Sequence, residues 1–307
     1  AEDGLYYESS NNSLYISRKF GARDPNTDKA YGVIIKYDIT NKTSKAIVTF
    51  NKENGQRPLG SLIKSGGKLY GVTASGGTNN EGVLFSIDIS TDQYTIIHQF
   101  DGTDGSLPTC PLFLHNNKLY GMGKKANNAD GRLIYEYNLS TNSYSSIRKD
   151  SDTSTLYSTG LMIRNSTLYF SWNSSILKID LTNLSQEATE HYSGLDAAGG
   201  LAIGKKPHEY TLGEDGNWYT TFSEGGDASG TNSFGSVAKF DFSSNGNMIK
   251  IHGFQGGALG QNVRVKLAPG LISNELFGVA DNGSNSSILF KLTTSGIYTV
   301  LKEFNTE

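Results

Sequence analysis

A segment of about fifty residues recurs six times along the chain, and a fixed period of this length is the signature of a stacked or radial repeat fold. Its clearest copy reads Lys68-Leu69-Tyr70-Gly71-Val72-Thr73, then Gly82-Val83-Leu84-Phe85-Ser86-Ile87-Asp88, then Tyr94-Thr95-Ile96-Ile97-His98-Gln99-Phe100. The paired position reads Leu14-Tyr15, Leu69-Tyr70, Leu119-Tyr120, Leu168-Tyr169, Trp218-Tyr219 and Leu276-Phe277, the second members lying 55, 50, 49, 50 and 58 residues apart. A short apolar run precedes each pair. A loop, an alternating run, a polar turn such as Ser90-Thr91-Asp92 and a second alternating run follow it.

Period-two alternation gives each run two faces, as a strand has. Four short strands, named a to d, repeated six times predict an all-β fold: a six-bladed β-propeller with four antiparallel strands per blade. No stretch sustains a 3.6-residue period, which excludes helical solenoids. An open stack needs terminal units with a polar outer face, and here the first and last copies are as apolar as the rest, so a closed ring is expected. The whole chain, 1–307, is read as one domain with approximate blades 4–50, 60–101, 110–150, 159–192, 199–254 and 262–305. The first copy opens with its own strand a near Leu5-Tyr6-Tyr7, and the last closes with strand d over 298–304. Each blade is therefore expected to be consecutive chain, with closure by side-chain packing between blades one and six. Strand a of blades five and six is not fixed by the pattern, because Glu209-Tyr210-Thr211-Leu212 and residues 263–267 both alternate within long connections.

Composition narrows the function. The formal net charge of the 307 residues is -3 and neither half is strongly basic, which argues against a nucleic-acid partner. The 36 Gly, 17 Tyr and 14 Phe suit many short strands and turns. The single cysteine, Cys110, forms no intrachain disulfide. Its neighbours Thr109, Pro111 and Leu112 offer no base, so it reads as a small buried apolar residue. No apolar stretch approaches the roughly 18–20 residues that a spanning helix needs. The Asn/Ser/Thr-rich, Lys-poor character and the small residue Ala1, which suits a signal-peptidase cut, point to a secreted or cell-surface protein.

The pieces Leu-Tyr-Gly-x-Thr at 69–73, Gly-Gly at 76–77, Gly-Val-Leu-Phe at 82–85 and Phe-Asp-Gly-x-Asp-Gly at 100–105 resemble the bacterial GloVer-type Gly-rich tandem repeat family. The second copy matches well, the first, third and sixth in part, and the fourth and fifth are degenerate. The resemblance implies a propeller and an exported protein. It implies no activity and supplies no catalytic residues to carry over.

The a–b and c–d connections are mostly tight, and the b–c and d–a connections are long and varied. In an up-and-down blade the long pair shares one face, and such loops carry binding and catalysis on a rigid scaffold. The column three residues beyond the Tyr varies most: Arg18, Thr73, Gly123, Trp172, Phe222, Ala280. The candidate ligand contacts are Arg18, Lys19 and Arg23 in the first b–c loop, Lys124 in the third, Trp172 in the fourth, Phe222, Glu224 and Asp227 in the fifth and Asp281 in the sixth. Aromatic faces stack on sugar rings and charged side chains direct hydrogen bonds. The structural alternative for Trp172 is that it covers the end of a core beneath a short loop. Trp218 replaces the paired Leu and reads as core.

The five histidines are scattered, with His98 and His252 at structural positions in strand d. No metal or other cofactor is expected. Asp24-Pro25-Asn26-Thr27-Asp28 has the opening spacing of a calcium loop but lacks its glycine and closing carboxylate, which fall on Lys29 and Ile35. Glu224, Asp227 and Asp281 are the starting point for any acid/base pair. The expected function is a monomeric, exported binding module for a glycan or protein surface. The alternatives are a hydrolase or lyase acting on polysaccharide through loop carboxylates, and a purely structural interaction module.

Overall fold

The computed structural model describes residues 4–21, 30–124, 131–150, 160–172, 175–192, 203–226, 234–242, 247–263, 266–270, 274–282 and 286–304; at Arg132, Arg148, Lys149, Asp150, Trp172 and Lys205 it describes the backbone alone. The chain divides into two compact units, Ala1–Ser158 and Thr159–Glu307, and each holds three blades.

In the first unit, blade one is β1 (Gly4–Glu8), β2 (Ser13–Arg18), β3 (Val33–Asp38) and β4 (Thr43–Thr49). Blade two has its strand a in two pieces, β5 (Gln56–Pro58) and β6 (Ile63–Ser65), followed by β7 (Lys68–Ser75), β8 (Val83–Asp88) and β9 (Tyr94–Gln99). Blade three is β10 (Phe113–His115), β11 (Lys118–Lys124), β12 (Arg132–Asn138) and β13 (Ser143–Asp150). In the second unit, blade four is β14 (Leu161–Arg164), β15 (Thr167–Trp172), β16 (Ser175–Asp180) and β17 (Thr189–Tyr192). Blade five is β18 (Lys205–Leu212), β19 (Trp218–Glu224), β20 (Ser236–Asp241) and β21 (Asn247–Gly253), and blade six is β22 (Ala268–Pro269), β23 (Glu275–Asp281), β24 (Ser287–Thr293) and β25 (Tyr298–Phe304).

Within every sheet the strands lie side by side in chain order and pair antiparallel. The protein is thus all-β, a six-bladed β-propeller in which each blade is consecutive chain, as the repeat phase requires. Strand a of blade five is β18, where the alternation of 209–212 falls. Strand a of blade six is only the two residues of β22, just beyond the alternating 263–267.

Four repeated devices build a blade. First, the tight turns are asparagine and glycine turns: Asn116 and Asn117, between β10 and β11, both take positive φ, 48° and 59°. That is the geometry of a type I′ hairpin, whose twist suits the flanking strands. Second, strand c ends in an acidic or amide residue that caps the next turn. The Asp88 carboxylate accepts from the Ser90 hydroxyl at 2.6 Å and from the backbone N–H groups of Ser90 and Thr91, which draws its pKa down to about 2. Asp38, Asn138 and Asp180 accept equivalent backbone bonds.

Third, a positive-φ glycine precedes strand c: Gly32, Gly82 and Gly235, at 108°, 100° and 90°. The carbonyl of each accepts the backbone N–H of the phenylalanine that ends strand d, Phe50, Phe100 or Phe254. Fourth, strand d carries a register shift opposite the same step of strand c in all six blades: Ile34/Ile35, Leu84/Phe85, Ile134/Tyr135, Ile176/Leu177, Val237/Ala238 and Leu289/Phe290. The extra residue on strand d is Ile47, Ile97, Ile147, His191, Ile251 or Leu301.

Packing between neighbouring blades follows the repeat. Between blades one and two, Tyr15, Ile34, Val48 and Phe50 meet Leu62, Leu69, Val83, Phe85 and Ile87. The same columns recur between blades two and three and between blades five and six. At the centre of each of these seams is an aromatic triad. The phenylalanine ending one blade contacts an aromatic residue of the next blade's strand c and the tyrosine that opens, or lies beside the opening of, its strand d: Phe50 with Phe85 and Tyr94, Phe100 with Tyr135 and Tyr144, Phe254 with Phe290 and Tyr298. Burying each phenylalanine contributes about 1.5–3 kcal/mol.

The strand-c aromatic has room because its cross-strand partner is glycine: Gly71 opposite Phe85, Gly121 opposite Tyr135, Gly278 opposite Phe290. A Cβ at Gly71 would lie 2.4 Å from Phe85 Cζ, and one at Gly121 would lie 2.2 Å from Tyr135 Cζ. Where the glycine is replaced, strand c carries a smaller residue: Phe170 faces Leu177, Ile16 faces Ile35, and Thr220 faces Ala238. His98 stacks on Tyr144 and His252 on Tyr298, with ring centroids 3.8 Å and 4.4 Å apart, so both histidines are structural, as their place in strand d suggested.

Candidate functional site

Blade one departs from these columns. Where the other blades of such seams place an aromatic residue in strand c and a tyrosine at the start of strand d, blade one has Ile35 and Ser44. Beside the two smaller side chains is an open depression of about 430 Å³ lined by Arg18, Phe20, Gly21, Val33, Ile35, Ser44 and Ala46, of which Arg18, Phe20, Ser44 and Ala46 are exposed.

The walls follow from the strands. Arg18 ends β2 and pairs with Val33 of β3, and Ile35 pairs with Ala46 of β4, so these side chains share one face of the sheet. Residues 19–21, which follow β2, lie against that face. Gly21 lies against Val33, where a Cβ would come within 2.3 Å of Val33 Cγ1, and this close approach lets the loop bring Phe20 to the rim. Phe20 is exposed, and the Lys19 ammonium is 5.5 Å from its ring centroid. The site is therefore apolar at its floor, aromatic and cationic at its rim, with one hydroxyl, Ser44. Among the described residues, none that line it is acidic.

The sequence-derived candidates fall into three groups. Arg18 and Lys19 come together at this depression. Lys124 ends β11 in another blade, where its backbone exchanges hydrogen bonds with Ser106. Glu224 ends β19 and forms an ion pair with Lys206, and Asp281 ends β23, exposed, its backbone bridged to Gln261. Arg23 and Asp227 lie outside the described residues, as does the side chain of Trp172, whose backbone ends β15.

Phe222 was expected to offer its ring to a ligand, but it is fully buried. Its ring packs edge-on against Tyr192 at 5.7 Å, and Gly204 lies close against it. The bulky residue of the variable column fills the interior here, because strand c opposite it presents only Ser236.

Sequence reasoning did not single out Phe20, Val33, Ile35, Ser44 or Ala46 as site residues. It also passed over Glu209, a half-buried carboxyl on β18 beside a register shift between Pro207 and Tyr210. Burial holds the Glu209 carboxyl above the usual carboxylate range, with Lys266 pulling the other way. Among the described residues no three His, Cys, Asp or Glu side chains gather as a metal site, and no helix is long and apolar enough to cross a membrane.

Fold and site together define a tandem-repeat β-propeller with a depression on the face of its first blade. The chain belongs to the Gloeobacter/Verrucomicrobia repeat family, whose pattern matches residues 2–176, more than half its length. No curated protein matches it in sequence.

Several solved structures share its fold. TolB from Acinetobacter baumannii is 14% identical, with a TM-score of 0.53, over 93% of this chain and 62% of that one. A chain of the nidogen/laminin complex is 13% identical, with a TM-score of 0.52, over 80% of this chain and 77% of that one. A chain of the mitotic checkpoint complex is 10% identical, with a TM-score of 0.60, over 100% of this chain and 78% of that one. The chain thus spans less than two thirds of the TolB structure. At these identities the likeness shows the fold alone.

Proposed function

We propose that this protein is an exported binding module that recognises a protein surface through the depression of blade one, seating an apolar or aromatic side chain between Ile35, Ser44 and Phe20. The observation that carries the reading is the replacement of two aromatic columns by Ile35 and Ser44, which leaves an open depression on blade one where blades two, three and six carry aromatic side chains. Arg18 and Lys19 at the rim favour a partner with acceptor or acidic groups beside its anchor. For acid/base hydrolysis the described lining offers no carboxylate, and Glu224 is engaged by Lys206. A second reading, glycan binding, rests on the exposed Phe20 ring flanked by Arg18 and Lys19, with the exposed Ser44 hydroxyl on the same face, an arrangement suited to stacking and hydroxyl recognition.

The test fills the depression. Ser44→Tyr and Ile35→Phe restore the residue types that the other seams carry. Peptides selected from a displayed library on the unaltered chain are expected to carry an aromatic or large aliphatic anchor. They should bind the filled variant at least tenfold more weakly, with its melting temperature held. A library yielding no binder sensitive to the filling overturns the reading. A glycan array hit lost in Phe20→Ala would instead favour the second reading.

A further inference from the structure

The residue before the positive-φ glycine of strand c holds a fixed place in the seams. Its carbonyl accepts the backbone N–H of a residue in the connection to the next blade: Tyr31 from Arg57, Glu81 from Leu107 and Phe234 from Asn262, at 2.7, 2.8 and 2.8 Å. The three donors share positive φ, 58°, 42° and 50°, so the three positions are equivalent. Tyr31 and Phe234 pack against the apolar cores of their seams. Between blades two and three the same place holds Glu81.

Glu81 is half-buried. Its Oε2 atom is buried with no hydrogen-bond partner, and it is the one carboxylate oxygen in that condition among the described residues. Such an oxygen is costly to keep, because it has given up water and gained no donor. The chain has cations close along the fold that do not relieve it. Lys52 accepts from Gly77 N–H and Lys124 exchanges backbone bonds with Ser106, so both belong to the loops around Glu81, yet neither ammonium bonds to Oε2. A carboxylate in an aromatic column, without a donor of its own, breaks the local pattern with no structural gain. Breaks of that kind fall at functional sites.

We propose that Glu81 anchors a second binding site, on the loops between blades two and three, and that it takes the ammonium or guanidinium of a lysine or arginine side chain from a protein partner. A cationic N–H donor supplies both the missing hydrogen bond and the counter-charge, whereas a hydroxyl or a water supplies only the first. Thr78, Asn79 and Asn80 on the same loop are exposed. The site is separate from the depression of blade one, and neither depends on the other.

Carbon-13 labelling of the glutamate carboxyls in the whole chain tests it. The probes are Nα-acetyl-lysine amide and Nα-acetyl-arginine amide, with the norleucine and citrulline amides as uncharged counterparts. The Glu81 resonance, assigned by its loss in Glu81→Gln, is expected to shift saturably with the two cations and not with the uncharged pair. Glu81→Gln removes the buried charge and keeps the shape, so its melting temperature should match or exceed that of the unaltered chain. No saturable shift at Glu81 overturns the proposal. So does an equal response to the uncharged pair, or a shift shared evenly with the exposed glutamates, which is general ion pairing. A markedly lower melting temperature for Glu81→Gln would show a carboxylate held for the fold itself, and overturns it as well.

Discussion

Gly71→Ala tests the size rule that governs the seams. The added Cβ would lie 2.4 Å from Phe85 Cζ and 2.7 Å from Leu62 Cδ2. Phe85 has little room to yield, because Phe50 and Tyr94 hold it with ring centroids 5.8 Å and 5.3 Å away. Overpacking of this kind costs about 1–3 kcal/mol. The lost chain freedom of glycine in the unfolded state offsets about 0.4–1 kcal/mol of it. A net loss of about 1–2 kcal/mol follows, read as a lower urea midpoint at unchanged slope.

Phe85→Leu alone leaves a cavity and costs about 1–2 kcal/mol. The double variant places Ala opposite Leu, following the trend of blade four, where a side chain at the glycine position, Phe170, faces the smaller Leu177. Its loss should be smaller than the sum of the single losses by at least about 1 kcal/mol. Additive losses across the four proteins of this cycle would refute the rule that glycine and aromatic compensate each other across the strand pair.

Three further outcomes follow from the interior. Glu8 is buried and accepts from Lys64 at 2.8 Å and from Ser10 N–H, which draws its pKa from 4.5 to about 2. Its folded value is depressed, so its stabilisation is fully present above 4.5 and is lost as pH falls toward 2; the difference in melting temperature between the unaltered chain and Glu8→Gln should shrink over that window. Burial lowers the pKa of His252 below its ordinary 6.5. The unfolded chain therefore takes up that proton first, and stability should fall as pH drops below 6.5, a dependence that His252→Phe, which keeps the stack on Tyr298, should reduce in pH-resolved melts. Phe222→Ala should cost about 3–5 kcal/mol in chemical denaturation, the price of emptying a core position; a loss below about 1 kcal/mol would mean the ring is not packed as described.

The blades were legible because each strand repeats the same columns, and a column of Leu-Tyr pairs can be read without coordinates. Strand a of blade five was not legible for a physical reason. Lys206 sits at φ 56° and the register shifts between Pro207 and Tyr210, so alternation fails along half of β18. In blade six only Ala268 and Pro269 pair at all.

Arg18 was singled out by its variable column, and the structure places it at the edge of this depression. The depression itself was not, because it is made by what is missing: only after Ile35 is set beside Phe85 and Tyr135, and Ser44 beside Tyr94 and Tyr144, does the loss of volume show. The same column misled at Phe222, since variability marks either a ligand contact or a plug, and burial decides which. The register shift had a signal in adjacent apolar pairs such as Ile47-Val48 and Ile96-Ile97, which interrupt an otherwise alternating strand.

That shift has a consequence for how six sheets of one plan coexist in one chain. Strand d is the last strand of its sheet, with one side unpaired. Straight, bare edges of like sequence are natural templates for one another, both during synthesis and between molecules at high concentration. A residue inserted at one fixed height in every such edge interrupts the ladder that a stranger would need and turns the strand's twist away from it. The repeat therefore carries its own safeguard against mispairing, copied each time the blade was copied.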